Sequence, residues 1–296
     1  DSHIVAYFGY DEASFSEIGE AAFQKQLYLC LISQTLWMKG EIERRRSRNS
    51  FGNLIWQLNE NWPSGGWGLI EYSSNPEDGS QLLGGRWKPL MHLLEQALFR
   101  DQIVACGKDD ICYLRNDGME AAEVKLEFHV WQDLSAYSPN RDMKFSFFLP
   151  HGRIQWFELP PDFVGTAQVV LIDIKVNNAS ISHSFFLRDM PKKIVGLKNN
   201  DILIKNLSLR QISDGIAVVE LESSNLALLV VLTASTQGRF SENCMTLLPL
   251  EKKTIRFESM IPEMPIDINA LRKTLRVEHM AQYMQKPESS TDVVER

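Results

Sequence analysis

The densest chemistry in the sequence lies in GNLIWQLNENWPSGGWGLIEY, residues 52–72. Three tryptophans, Trp56, Trp62 and Trp67, sit there among the amides of Gln57 and Asn59 and the carboxyl group of Glu60. Indole rings offer wide apolar faces, while amides and carboxylates supply directed hydrogen bonds. The mixture suits a pocket for a ligand that is apolar on one face and polar at its edges. Each residue also has a plain structural reading. Trp56 can fill a core at a strand end, and Gln57 and Asn59 can satisfy loop backbone groups. Trp62, held extended by the proline after it, can anchor a turn.

Other chemistries find less support. Cysteines at 30, 106, 112 and 244 form no CxxC pair, and the six histidines show no HExxH or Cys/His spacing, so no metal site is expected. Cys106 and Cys112 flank GKDDI, which fits a small hairpin closed by a disulfide. Asn178-Ala179-Ser180 and Asn206-Leu207-Ser208 are glycosylation sequons and point the same way, to a lysosomal or secreted protein, with a cytoplasmic one as the alternative. The opening DSHIVAYFGY lacks the charged and apolar regions of a signal peptide, so the expectation is either a cytosolic protein or a chain that begins partway through a longer precursor. The formal charge of −7 argues against nucleic acid as a partner. No segment supplies the roughly 18–20 apolar residues of a membrane span. The basic run RRRSR, Arg44 to Arg48, reads as the cationic end of a helix.

These residues need elements to position them. From Ser14 to about Arg46 the pattern is helical: Phe23, Leu27, Cys30, Leu31 and Met38 share a face, and Ser14 with Glu17 fits a capping box. FGNLIWQLN then reads as a short buried strand, and GGRWKPLMHLLEQALF as a second helix. Beyond residue 100 the texture changes to strands. Val124, Leu126, Phe128 and Val130 alternate with Lys125, Glu127 and His129, and MKFSFFLP, GRIQWFELP and AQVVLIDIKV follow at sandwich spacing. After DMPKKIVGLKNND a second series begins with DILIKNLSL, GIAVVELES, LALLVVLTAS and KKTIRFES. The expected units are 1–99, a sandwich over 100–195, a second sandwich over 196–286, and a disordered polar tail over 287–296. A single helix–strand–helix piece cannot bury both faces of its strand, so partner strands are expected elsewhere.

The segment GNLIWQLNENWPSGGWGLIEY with GGRWKPLMHLL resembles the end of the catalytic barrel in β-mannosidases of glycoside hydrolase family 2. YLCLISQTLWMKGEIERRR is similar to the family's preceding helix, and QGRFSENCMTLLPLEKKTIRFES to a motif of its C-terminal sandwich, with Pro-Leu-Glu in place of Pro-Gly-Glu. The resemblance implies an α/β barrel fragment, the last helix and strand of a (β/α)₈ barrel, followed by two all-β immunoglobulin-like sandwiches. It implies part of a retaining exo-glycosidase that removes terminal β-D-mannose from oligosaccharides or glycoproteins and uses no cofactor. Trp56, Gln57, Asn59 and Trp62 would line the substrate site, at the C-terminal end of strand eight where barrels place their chemistry. Aromatic faces would stack on a pyranose while the amides bond its hydroxyls. The acid/base and, in all but one reading, the nucleophile would lie on the N-terminal part of the same enzyme, its expected partner. The exception is Glu17, whose setting SEIG looks similar to the family's nucleophile motif but follows no apolar strand. Glu60 occupies a position where the family carries a non-catalytic Asp, and Trp87 in GRWK is expected to pack the barrel against the first sandwich. SSNPEDGSQLL, residues 73–83, departs from the family by lengthening a loop. The alternatives are a related family-2 glucosaminidase or galactosidase, and a non-catalytic carbohydrate-binding or interaction protein.

Overall fold

The computed structural model describes residues 2–11, 15–62, 66–72, 86–199, 202, 215–260 and 265–284. Two helices open it, α1 (Ser2–Phe8) and α2 (Glu20–Ser47). The first was not legible as a helix, being only seven residues with no capping signal. The second starts six residues later than the periodicity suggests. Its N-cap is Gly19, at φ 112 and with no side-chain cap hydrogen bond, so the chain turns in through a conformation open to glycine. The capping-box reading is therefore corrected: Glu17 lies before the helix and meets Lys25 at 3.4 Å, while Ser14 lies outside the described residues. Phe23, assigned to the apolar face, is 64% exposed.

The middle of α2 is buried on several sides because it packs against three neighbours. Tyr28, Leu29 and Ile32 join Phe8, Trp131, Leu229 and Met280 in one apolar cluster, which draws α1 and both sandwiches onto the helix. Ile42 belongs to another, with Leu90, Leu94, Ile103 and Tyr113. Each such fully buried side chain contributes about 1.5–3 kcal/mol. Polar contacts fix the register: the Tyr28 hydroxyl donates to Leu229 O at 2.8 Å and that of Tyr113 to Glu43 O at 2.8 Å. Arg46 does more than cap a dipole. It donates to Leu98 O at 2.7 Å and Arg100 O at 2.9 Å and pairs with Asp117 at 2.5 Å, tying the helix end to the first sandwich.

Beyond the two-stranded pair β1 (Ile70–Glu71) and β2 (Arg86–Trp87), the first sandwich sets the sheet β6 (Arg141–Leu149), β5 (Ala122–Trp131), β8 (Val169–Val176), β9 (Ala179–Leu187) against β3 (Gln102–Cys106), β4 (Ile111–Asn116), β7 (Arg153–Glu158). The alternation along β5 places Val124, Leu126, Phe128 and Val130 in the core between them, as expected. Cys106 and Cys112 face each other across the β3–β4 ladder and form the disulfide. In the second sandwich β10 (Ile216–Glu222), β14 (Lys252–Glu258) and β12 (Arg239–Phe240) face β13 (Met245–Leu247), β11 (Ala227–Thr233) and β15 (Arg276–Glu278). Val219, Leu221, Val230, Ile255 and Phe257 fill that core. The strand expected at DILIKNLSL and the 287–296 tail lie outside the described residues, Ile202 excepted.

The expected buried strand at 51–59 takes a different form. The segment is irregular and joins no ladder among the described residues, making one parallel bridge, Asn59 to Ile70. Its side chains alternate as a strand's do. Asn53, Ile55 and Gln57 are half-buried, while Leu54, Trp56 and Leu58 are 102%, 76% and 61% exposed. One face is packed and the other, apolar, face is bare. The helix after it is as expected in place, with Pro89 at its first position: α3 (Pro89–Leu93) runs into a π-turn at Leu94–Leu98.

Candidate functional site

The loop that follows the bare segment is built around a buried ion pair. Lys88, at the N-cap of α3, puts its ammonium group on Glu60, and the two residues are 1% and 4% exposed. Lys88 Nζ also donates to Gly66 O at 3.1 Å, and Glu60 accepts from Gly68 N at 2.9 Å and from Gln57 Nε2 at 3.4 Å. Removing both charges from water is costly, and close pairing with these extra hydrogen bonds is what offsets it. Gly68 makes the approach possible, since a Cβ there would lie 2.7 Å from Glu60 N and 2.8 Å from Asn59 C. Short backbone bonds, Glu60 N to Ile70 O at 3.0 Å and Lys88 N to Leu69 O at 2.9 Å, complete the frame.

The predicted site residues gather on this frame with two different characters. Gln57 and Asn59 bond the loop itself: Gln57 Nε2 donates to Asn59 O at 3.0 Å and Asn59 Nδ2 to Glu60 O at 3.2 Å. Trp56, joined to Gln57 by a cis peptide bond, and Trp62 stand out from the protein, 76% and 68% exposed. Sequence reasoning missed residues that extend the surface. Trp37 of α2 meets Trp67 edge-on at 6.3 Å, and Gln34 Nε2 donates to Trp67 O at 2.8 Å. With Asn53 and Trp56 these line a cavity of about 340 Å³. Trp37 falls on α2 three and nine positions after Gln34 and Tyr28, a spacing whose meaning depends on which helix face meets the loop.

The carboxylates near this surface are engaged. Glu60 holds Lys88, Glu41 bonds Arg44 at 2.7 Å, and Glu71 bonds Arg86 at 2.9 Å. Arg44 holds the Glu41 carboxyl below its usual range through that hydrogen bond. Glu17 is 54% exposed on its side chain, with Lys25 as its described partner rather than any residue of the 52–72 segment. The described surface is thus suited to binding, and it brings together no free pair of carboxyl groups at glycosidase spacing, which is about 5–5.5 Å for retention.

Two further placements differ from expectation or add to it. Trp87, expected against the first sandwich, meets the second: Arg239 lies over its ring at 4.4 Å, and His92 sits against it at 5.3 Å. Burial, with Arg239 adding to it, pushes the His92 imidazole down to about 3, so it is neutral there. A second polar group crosses the outer face of the first sandwich. His129 bonds Asp142 at 2.6 Å through Nδ1 and Asp173 at 3.3 Å through Nε2, and His183 bonds Asp173 at 2.6 Å. The bond from Asp173 raises the pKa of His129; burial alone would raise that of Asp173, but the two histidines more than reverse this and lower it. Glu127, His129 and Asp173 lie near enough to share a cation, yet Glu127 already accepts from Lys175 at 2.8 Å and Lys144 at 3.3 Å. The group is complete as a chain of ion pairs across four strands. Of the two sequons, Asn178 lies at the exposed β8–β9 turn and Asn206 lies outside the described residues.

Comparison with known proteins supports the architecture. Residues 201–283 match the family model of a mannosidase-type Ig-fold domain. No curated protein sequence matches the chain. Among solved structures, a β-D-mannosidase from Dictyoglomus thermophilum superposes with a TM-score of 0.61 at 20% identity, covering 90% of this chain and 31% of that one. An exo-chitosanase from Amycolatopsis orientalis gives 0.54 at 13% identity, covering 86% and 33%. These likenesses show a shared fold, dominated by Ig-like sandwiches with few helices. The chain spans about a third of the length of either protein.

Proposed function

We propose that the chain is the C-terminal part of a glycoside hydrolase of family 2, with residues 1–99 as the end of a (β/α)₈ barrel and two sandwiches, 100–195 and 196–286, behind it. The observation that carries this reading is the alternation at 53–58. A segment with one packed face and a bare apolar face of Leu54, Trp56 and Leu58 has the form of a sheet strand whose second face is covered by other chain. Strand eight of a barrel has that form once the other strands are removed, because its outward face packs on helices and its inward face on side chains from across the barrel.

On this reading Trp56 and Trp62 stand at the C-terminal end of the strand, facing the space where a barrel binds its substrate. Gln57 and Asn59 shape the loop beneath them, and the Glu60–Lys88 pair holds it rigid. The catalytic carboxyl groups come from barrel strands outside this chain, one as acid/base and one as nucleophile. Terminal β-D-mannose is the favoured sugar: the segment GRWK resembles the mannosidase branch, the Ig-fold match is of the mannosidase type, and one structural neighbour is a β-D-mannosidase. The exo-chitosanase neighbour supports a glucosaminide-cleaving enzyme as the second reading. The intact protein should hydrolyse a chromogenic β-mannoside with a kcat/KM at least tenfold above that for the matching β-glucosaminide. The reverse order would select the second reading, and hydrolysis of neither would remove both.

A further inference from the structure

The sequon at Asn178 is not used by the proposed catalytic function, and the fold presents it in an unusual place. Asn177 and Asn178 form the two-residue turn between β8 and β9, both with positive φ, at 49° and 66°. Such a turn fits the twist of the paired strands and points its side chains out. Asn178, Ala179 and Ser180 are all exposed. The Asn178 Oδ1 accepts from Lys125 Nζ at 2.8 Å, which leaves the Nδ2 edge open to solvent. Among the described residues β9 is the edge of its sheet, in the order β6-β5-β8-β9, and its first residues are bare before Ser182 and Ser184 become buried. An exposed strand edge is a template for pairing with another chain, and here the register shift opposite Ile174 and Lys175 interrupts it at Ile181 without covering it. Independently, the Cys106–Cys112 disulfide on the opposite sheet of the same sandwich belongs to proteins folded in an oxidising compartment, the setting in which sequons are used.

We infer that Asn178 carries an N-linked glycan and that this glycan shields the open start of β9. The donor is an oligosaccharide on a lipid diphosphate. The Asn178 Nδ2 forms a bond to the anomeric carbon, the bond from that carbon to the diphosphate oxygen breaks, the lipid diphosphate leaves, and the amide releases one proton to solvent. Ser180 supplies the hydroxyl that defines the acceptor. The strand-edge position gives the modification a purpose beyond solubility, because a bulky polar group at the turn blocks edge-to-edge pairing along β9.

The test uses the intact protein made in a secretory host that attaches N-glycans, with peptide mapping before and after enzymatic glycan release. The peptide holding Asn178 is expected to carry a glycan, and release is expected to convert that residue to aspartate. Ser180→Ala should lose the glycan while Ser180→Thr keeps it, and the Ser180→Ala protein should elute as larger species on size exclusion. An unmodified Asn178 peptide, whatever the state of the other sequon, overturns the assignment. A glycan-free Ser180→Ala protein that remains the same size overturns the shielding role.

Discussion

Removing the Lys88 ammonium group while keeping its carbon stem, as in Lys88→Met, isolates the contribution of the buried pair. Glu60 would remain 4% exposed with hydrogen bonds from Gly68 N and Gln57 Nε2 only, and Gly66 O would lose its donor. Breaking a buried pair on one side costs about 3–5 kcal/mol, because a desolvated charge is left without its partner. The loss should be local, since the pair frames the 57–70 loop and not a sandwich core. Amide exchange at Gly68 and Leu69, which bond Glu60 and Leu58, reads it directly. At about 1.4 kcal/mol per factor of ten, exchange there should speed up by about 10² to 4 × 10³-fold, with sandwich amides unchanged. The double variant Glu60→Gln with Lys88→Met removes both charges, and Gln can still accept from Gly68 N, so it should lose less than about 2 kcal/mol. A change under tenfold in Lys88→Met, the size expected of a surface pair, would refute the reasoning.

Trp56→Ala in the intact protein should lower kcat/KM by a factor on the order of 10² to 10³, about 3–4 kcal/mol of transition-state stabilisation, and normal kinetics per folded molecule would remove Trp56 from the site. Gly68→Ala should cost about 1–3 kcal/mol in local stability by amide exchange, because its Cβ meets backbone atoms at 2.7 and 2.8 Å that cannot swing aside. The charged row on the first sandwich should make that unit acid-favouring. The raised pKa of His129 gives stability that is full below about pH 6.5 and lost as pH rises through its folded value, while the lowered Asp173 contributes above about pH 4. The free energy of unfolding should therefore fall as pH rises above about 6.5, the usual histidine value, and His129→Gln should flatten that slope.

Patterns set by local physics were readable from the residues. The β5 alternation, the Pro89 helix start and the Cys106–Cys112 hairpin each depend on residues within a few positions, and each takes the expected form. What failed depended on distant partners. Phe23 fits a helical stripe, yet which stripe of α2 is covered is decided by α1, β4 and β11. Trp87 meets the second sandwich through Arg239, which lies more than 150 positions away in sequence, and no composition signal marks that pairing. The apolar run 53–58 is strand-like in periodicity, but its burial requires neighbours that the described residues do not supply. Lys88 as the ion partner of Glu60 was equally hidden, since two residues 28 positions apart carry no spacing rule.

The central claim is that the 52–72 surface binds substrate while the catalytic carboxyl groups lie on other chain. Labelling the intact protein with a 2-fluoro mannosyl fluoride, which traps the glycosyl-enzyme of a retaining glycosidase, and sequencing the modified peptide tests this in one measurement. The account predicts a single labelled glutamate outside residues 1–296, with labelling slowed in Trp56→Ala. A label on Glu17, Glu60 or any other residue of this chain would contradict it.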